Sequence, residues 1–122
     1  MLAPVGGPMQ KLFLSIQHHR NDEAMHIINS GQCDVSRNSE SGYGPIHIAC
    51  KYGNRYVFDL LVSRGVSMET PDANGNSPLH YAAKGGAIDI CRHLVDSGCD
   101  AARKNASQQT PYDISQSHVV RQ

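Results

Sequence analysis

The sequence predicts an all-α solenoid: stacked helix-turn-helix units joined by turn or hairpin-like loops. Three observations predict it. The chain matches itself at a period of 33 residues, helix starts and stops fall at fixed places in each period, and apolar residues recur at helical spacing between them.

The self-match is long. Gly42-Tyr43-Gly44-Pro45-Ile46-His47-Ile48-Ala49-Cys50-Lys51-Tyr52-Gly53 aligns with Gly75-Asn76-Ser77-Pro78-Leu79-His80-Tyr81-Ala82-Ala83-Lys84-Gly85-Gly86. Val57, Leu61 and Gly65 continue onto Ile90, Leu94 and Gly98. One period later Thr110-Pro111-Tyr112-Asp113-Ile114 falls on Ser77 to Tyr81, and one period earlier Lys11 to Ile28 covers the helical part of a first unit, with Ile27 and Ile28 on Leu60 and Leu61.

Each unit has the same local physics. Ser77 or Thr110 before proline is a helix start, because the hydroxyl caps free backbone N–H groups and proline is tolerated at the first helical position. A short first helix follows, with small residues (Ala49, Ala82, Ala83) where neighbouring helices must approach closely. Gly53 and Gly86 end it, since glycine takes the left-handed conformation that closes a helix. A second helix carries Val57, Leu60 and Leu61 in one unit and Ile90, Cys91 and Leu94 in the next, and Gly65 and Gly98 close it. The polar stretch after it, marked by Asp72-Ala73-Asn74-Gly75, reads as a turn. No single unit can bury both of its helices, so the units must stack.

Ser77-Pro78-Leu79-His80-Tyr81-Ala82-Ala83, with Gly75 before it and Gly98-Cys99-Asp100 after it, resembles the T-P-L-H-x-A core and 33-residue length of the ankyrin repeat. The resemblance covers residues 11–122, with residues 1–10 a flexible leader and repeats at 6–38, 39–71, 72–104 and 105–122. The first lacks the Pro-His element and reads as an N-terminal cap. The last is incomplete and leaves Val119 and Val120 uncovered, which points to a piece of a longer protein.

Composition excludes several classes. Eleven Lys and Arg balance eleven Asp and Glu, giving no electrostatic reason for nucleic acid or an anionic membrane. No apolar run approaches the roughly 18 residues of a membrane span. Cys33, Cys50, Cys91 and Cys99 form no CxxC pair and no zinc-like grouping, which suits a reduced compartment, cytoplasmic or nuclear. Cys33 and Cys99 lie two units apart, too far to bridge when helices pack about 8–10 Å apart and bridgeable Cα atoms lie within roughly 7 Å. Cys50 and Cys91 fall at core positions. Gly85-Gly86 joins two helices without a preceding strand or a Gly-Lys-Ser/Thr, so it is no phosphate loop. Adjacent His18 and His19 do not converge on one ion, and His26 and His93 fall on second helices, where a polar outer face is the rule. The resemblance implies a structural role for His47 and His80: the imidazole bonds neighbouring loop backbone and sets repeat spacing. No enzyme, cofactor or metal site is expected.

Function is therefore expected on the surface of the stack. The resemblance implies that a partner protein or peptide docks on the concave face, built from turn tips and first helices. In this register the candidate partner-binding residues are Glu40, Ser41, Tyr43, Lys51, Tyr52, Ala73, Asn74, Asn76, Lys84 and Ser107. Ala106 and Gln109 complete the third tip, and His18, His19, Gly85, Ser117 and His118 complete the helix positions. Tyr43 and Tyr52 are aromatic where the fold leaves positions free. Lys51 and Lys84 share one position, with His18 and His118 at or next to it in the outer units, while Asp59, Asp89 and Asp96 sit on second helices. An acidic peptide or patch is the partner this sorting favours, bound by a monomer. The alternative is a regulatory or structural segment of a larger multidomain enzyme, packed mainly on its own chain.

Helix pairs are expected over 11–30, 46–63 and 79–96, with one first helix near 112–118 and no extended sheet. Gly44 stands where Ser77 and Thr110 cap their helices, so Gly44→Thr is expected to stabilise slightly. Removing the Leu61 or Leu94 side chain should cost about 2–5 kcal/mol in a denaturant titration.

Overall fold

The computed structural model describes residues 7–120, and side chains up to residue 115. The described residues are helical and contain no strand: α1 (Pro8–Gln17), α2 (Asn21–Ser30), α3 (Pro45–Lys51), α4 (Arg55–Ser63), α5 (Pro78–Gly85), α6 (Ile88–Asp96) and α7 (Pro111–Val120). The helices pair as α1·α2, α3·α4 and α5·α6. Helices α1, α3, α5 and α7 then pack in sequence as an inner row, and α2 and α4 pack in an outer one. Between the rows lies the core, whose fully buried members include Leu12, Ile16, Ile46, Phe58, Leu61, Ile90 and Leu94.

The expected helix pairs are present, with one change at the start. Helix α1 begins at Pro8, not Lys11, because Pro8 supplies a first-turn proline. Pro8 to Gln10 therefore belong to the stack; residues 1–6 of the expected leader lie outside the described residues.

The register of the first unit also differs. The backbone bond that closes each inner helix runs from Arg20 N–H to the Ser15 carbonyl, from Asn54 to Ala49 and from Ala87 to Ala82. Ser15 thus stands in the place of Ala49, and the first unit is offset from the second by 34 residues. Ile27 corresponds to buried Leu61 rather than to Leu60, and Gln17 rather than His18 corresponds to Lys51. The offset returns to 33 in the loop, where Ser39, Asp72 and Asn105 donate equivalent backbone bonds to Tyr43, Asn76 and Gln109. His19 occupies the left-handed position of Gly53 and Gly86, at φ 56° against 65° and 72°.

Units are tied together by buried polar groups. His47 Nδ1 accepts the Gly44 N–H at 2.8 Å, which leaves the proton on Nε2, 2.7 Å from the Thr70 carbonyl of the following loop. His80 repeats the arrangement, accepting the Ser77 N–H at 3.0 Å and donating to the Gln109 carbonyl at 2.9 Å. Each imidazole fixes a helix start and the next loop at once, the role the resemblance implied. Buried Asn54 adds a link: its carbonyl oxygen caps the Val57 N–H, and its amide donates to the Ile16 carbonyl at 3.1 Å and to Asn21 Oδ1 at 2.8 Å.

The inner row packs closely. A Cβ on Gly85 would lie 1.9 Å from the Lys51 carbonyl oxygen, so α5 reaches α3 only because residue 85 has no side chain. Gly85→Ala is expected to cost about 3 kcal/mol, whereas His19→Gly should gain about 0.5–1 kcal/mol by relieving a left-handed backbone. A Cβ on Gly44 would sit 3.1 Å from the Arg37 carbonyl and from Asn38 Oδ1. Gly44→Thr is therefore expected to destabilise by about 1 kcal/mol, reversing the small gain expected from capping alone. Urea midpoints of the three variants beside wild type test these signs.

Burial holds the His47 imidazole below its ordinary value of 6.5. The unfolded chain takes up this proton near pH 6.5 and the native chain only at lower pH, so the stability this group contributes is complete above that value and falls as the medium acidifies. A His47→Asn variant is expected to be less stable at pH 7.5 and to lose less than wild type between pH 7.5 and pH 5. Equal losses in paired urea titrations would show that His47 is not the group responsible.

Candidate functional site

Stacked turn tips and the inner helices enclose an open trough of about 940 Å³. The tips hold one another: the Ala73 N–H donates to the Gly42 carbonyl at 2.7 Å, and the Ala106 N–H to the Asn74 carbonyl at 2.8 Å. Within each tip one side chain closes the turn. Asp72 Oδ1 accepts the N–H groups of Asn74 and Asn76, both at 2.8 Å, and Asn105 Oδ1 accepts those of Ser107 and Gln109, both at 2.9 Å. These are Asx turns, in which a short polar side chain mimics backbone.

Seven of the ten candidate residues line the trough: Ser41, Tyr43, Ala73, Asn74, Asn76, Lys84 and Ser107. Glu40, Lys51 and Tyr52 do not. Glu40 is exposed on the first tip. Lys51 is half-buried, with its ammonium 5.4 Å from the centroid of the exposed Tyr52 ring. Lys84 thus lines the trough and Lys51 does not. The side chains of Ser117 and His118 lie outside the described residues.

Tyr43 is not a free aromatic. It is half-buried and packs against the core, its ring centroid 5.4 Å from that of Phe13 in the preceding unit.

Three further residues shape the trough. The Tyr81 hydroxyl donates to Asp72 Oδ2, and its ring lies 4.9 Å from the His47 imidazole. Burial, then the neighbouring carboxylate, pushes the Tyr81 phenol well above its ordinary value, so it remains a donor. Burial alone would raise the Asp72 carboxyl, but hydrogen bonds from Tyr81, Asn76 and Asn74 outweigh it and hold the group below the usual carboxylate range. Ile114 adds an apolar patch beside them. The 33-residue spacing of Asp72 and Asn105 in Asp-x-Asn and Asn-x-Ser turns was the signal available for these tips; the Tyr81 contact had none.

The trough therefore offers amides, hydroxyls, half-buried aromatic faces and one exposed ammonium. Burial pushes up the thiols of Cys50, Cys91, Cys99 and Cys33, keeping them protonated. Among the described residues no group of three or more His, Cys, Asp or Glu could hold a metal ion, and no helix is long and apolar enough to cross a membrane. The outer face carries a separate charge set, with Arg55 2.9 Å from Asp59 and 3.8 Å from Asp89.

Comparison with known proteins agrees with the geometry. Residues 12–105 match the family model described as ankyrin repeats (3 copies). The chain is 34% identical over 98 residues to protein phosphatase 1 regulatory subunit 12A of Mus musculus, covering 80% of this chain and 10% of that protein. It is 30% identical over 108 residues to protein phosphatase 1 regulatory subunit 27 of the same species, covering 88% and 70%. It is also 29% identical over 89 residues to target of rapamycin complex 2 subunit AVO2 of Saccharomyces cerevisiae, covering 70% and 21%. The chain thus spans about a tenth of the length of the first of these relatives. With the clamping histidines and the stacked tips in place, the chain belongs to the ankyrin-repeat family, whose repeats are protein-interaction modules.

Proposed function

We propose that this chain is a non-catalytic binding module that holds a segment of a partner protein in the trough across its first, second and third turn tips. One observation carries the reading: residues of all three tips and the exposed helix position of Lys84 converge on one continuous concavity. Polar groups fixed by Asx turns give direction, and the exposed ammonium of Lys84 favours an acidic partner. The binding unit is the stack from Pro8 onward, working as a monomer in an intracellular compartment.

A second reading has its own support. The chain matches about a tenth of a phosphatase regulatory subunit, so the stack also fits a regulatory segment of a longer protein, packed on its own chain. In that case the same trough receives a segment in cis.

Lys51→Glu/Lys84→Glu is expected to weaken a captured partner at least tenfold and to flatten its salt dependence, with Lys84→Glu alone giving most of the effect. The control is Asp89→Lys on the outer face, which should leave affinity within twofold. Calorimetry at two ionic strengths decides the matter: unchanged binding in the lysine variants together with lost binding in Asp89→Lys would move the site to the outer helices.

A further inference from the structure

Two hydroxyls in the chain have a basic residue three positions upstream: Ser67 after Arg64, and Ser107 after Lys104. The structure separates them. Ser67 Oγ is occupied, accepting the Glu69 N–H at 3.1 Å, and the Arg64 guanidinium is held by Asn29. Ser107 lies exposed on the third tip, and among the described residues its hydroxyl makes no hydrogen bond; only its N–H is used, by Asn105 Oδ1. Lys104 is exposed and follows Arg103, whose side chain reaches the Glu69 carbonyl at 2.9 Å. The middle tip is bonded to both neighbours through Ala73 and Asn74, whereas among the described residues the third tip meets a neighbour on one side.

We infer that Ser107 is a phosphorylation site for a serine kinase that reads basic residues ahead of its acceptor, and that its phosphate closes the trough to acidic partners. The second half rests on the proposed docking reading; the first does not. In the modification Ser107 Oγ attacks the γ-phosphorus of ATP and the new O–P bond forms as the bond to the β,γ-bridging oxygen breaks. ADP leaves, and the hydroxyl proton passes to the catalytic aspartate of the kinase. The product carries about −1.5 to −2 charge at neutral pH on the same trough as Lys84. The phosphate then takes the place that an acidic side chain of the partner would occupy, and adds repulsion to it.

The full chain is treated with the catalytic subunit of cyclic-AMP-dependent kinase and Mg-ATP, and the phosphate is located by mass spectrometry. Ser107 should be modified at least tenfold faster than Ser67, Lys104→Glu should slow it at least tenfold, and Ser107→Ala should remove the main product. Phosphate on Ser67 with Ser107 unmodified, or an unchanged rate in Lys104→Glu, overturns the site. Binding is then read with fluorescein-labelled decaglutamate, whose affinity should fall at least fivefold on phosphorylation. A modified Ser107 with unchanged decaglutamate affinity overturns the regulation. If the unmodified chain does not bind the probe at all, the acidic docking reading and the regulation both fall, and the kinase site is judged on its own data.

Discussion

The stack depends on an imidazole that serves two masters. Where the chain enters an inner helix, a free backbone N–H points at a buried ring nitrogen, and the opposite nitrogen donates to a carbonyl of the next loop. His47 does this between Gly44 and Thr70, and His80 between Ser77 and Gln109. Both rings are buried, so neither bond is exchanged easily for water, and an unmade one would leave a buried polar group unsatisfied. The clamp fixes the height of each loop against the helix before it, which in turn sets where the tips meet. Trough depth and tip alignment follow from it.

The inner helices must then approach until backbone meets backbone. Gly85 lies against the Lys51 carbonyl, and Ala49 and Ala82 are fully buried in the same row. Small residues therefore do two jobs along α3 and α5. They admit close packing, and they draw the inner row in so that the turn tips stand beyond it. Larger core residues pack behind them, among them Phe58 and Leu61 in α4 and Leu94 in α6.

Much of this was legible in the sequence because local and periodic signals agreed. Proline at a helix start, glycine at its end and apolar residues at helical spacing all pointed to the same bounds, and the helices lie within a few residues of them. The first unit was less legible for a physical reason. It has no Pro-His element, and adjacent Ile27 and Ile28 satisfy the apolar pattern in either of two registers, so periodicity cannot choose. The deciding feature is a left-handed backbone at His19, which elsewhere in the stack is marked by glycine and here is not. Tyr43 was misjudged for another reason: its own unit leaves it free, and Phe13 of the preceding unit covers it. Seven of the ten candidate positions reached the trough because tips stack in register, while Lys51 and Tyr52 paired with each other instead. Contacts between units are where a single period carries no information.

The charge of the trough shows why net charge was a poor guide. The chain as a whole is neutral, yet Asp72 and Lys84 lie in the same concavity in unlike states. Asp72 is nearly buried, and four donors fill its two oxygens: the N–H groups of Asn74 and Asn76, the Asn76 amide and the Tyr81 hydroxyl. Its charge is spent on holding the second tip in shape. Lys84 is exposed on the last turn of α5, where a cation also suits the helix dipole. From the trough the ammonium is directly accessible, whereas the carboxylate lies behind the amides and the hydroxyl that bond it. Charge that closes a turn and charge left at the surface are thus separated by burial, although the repeat places both within one unit.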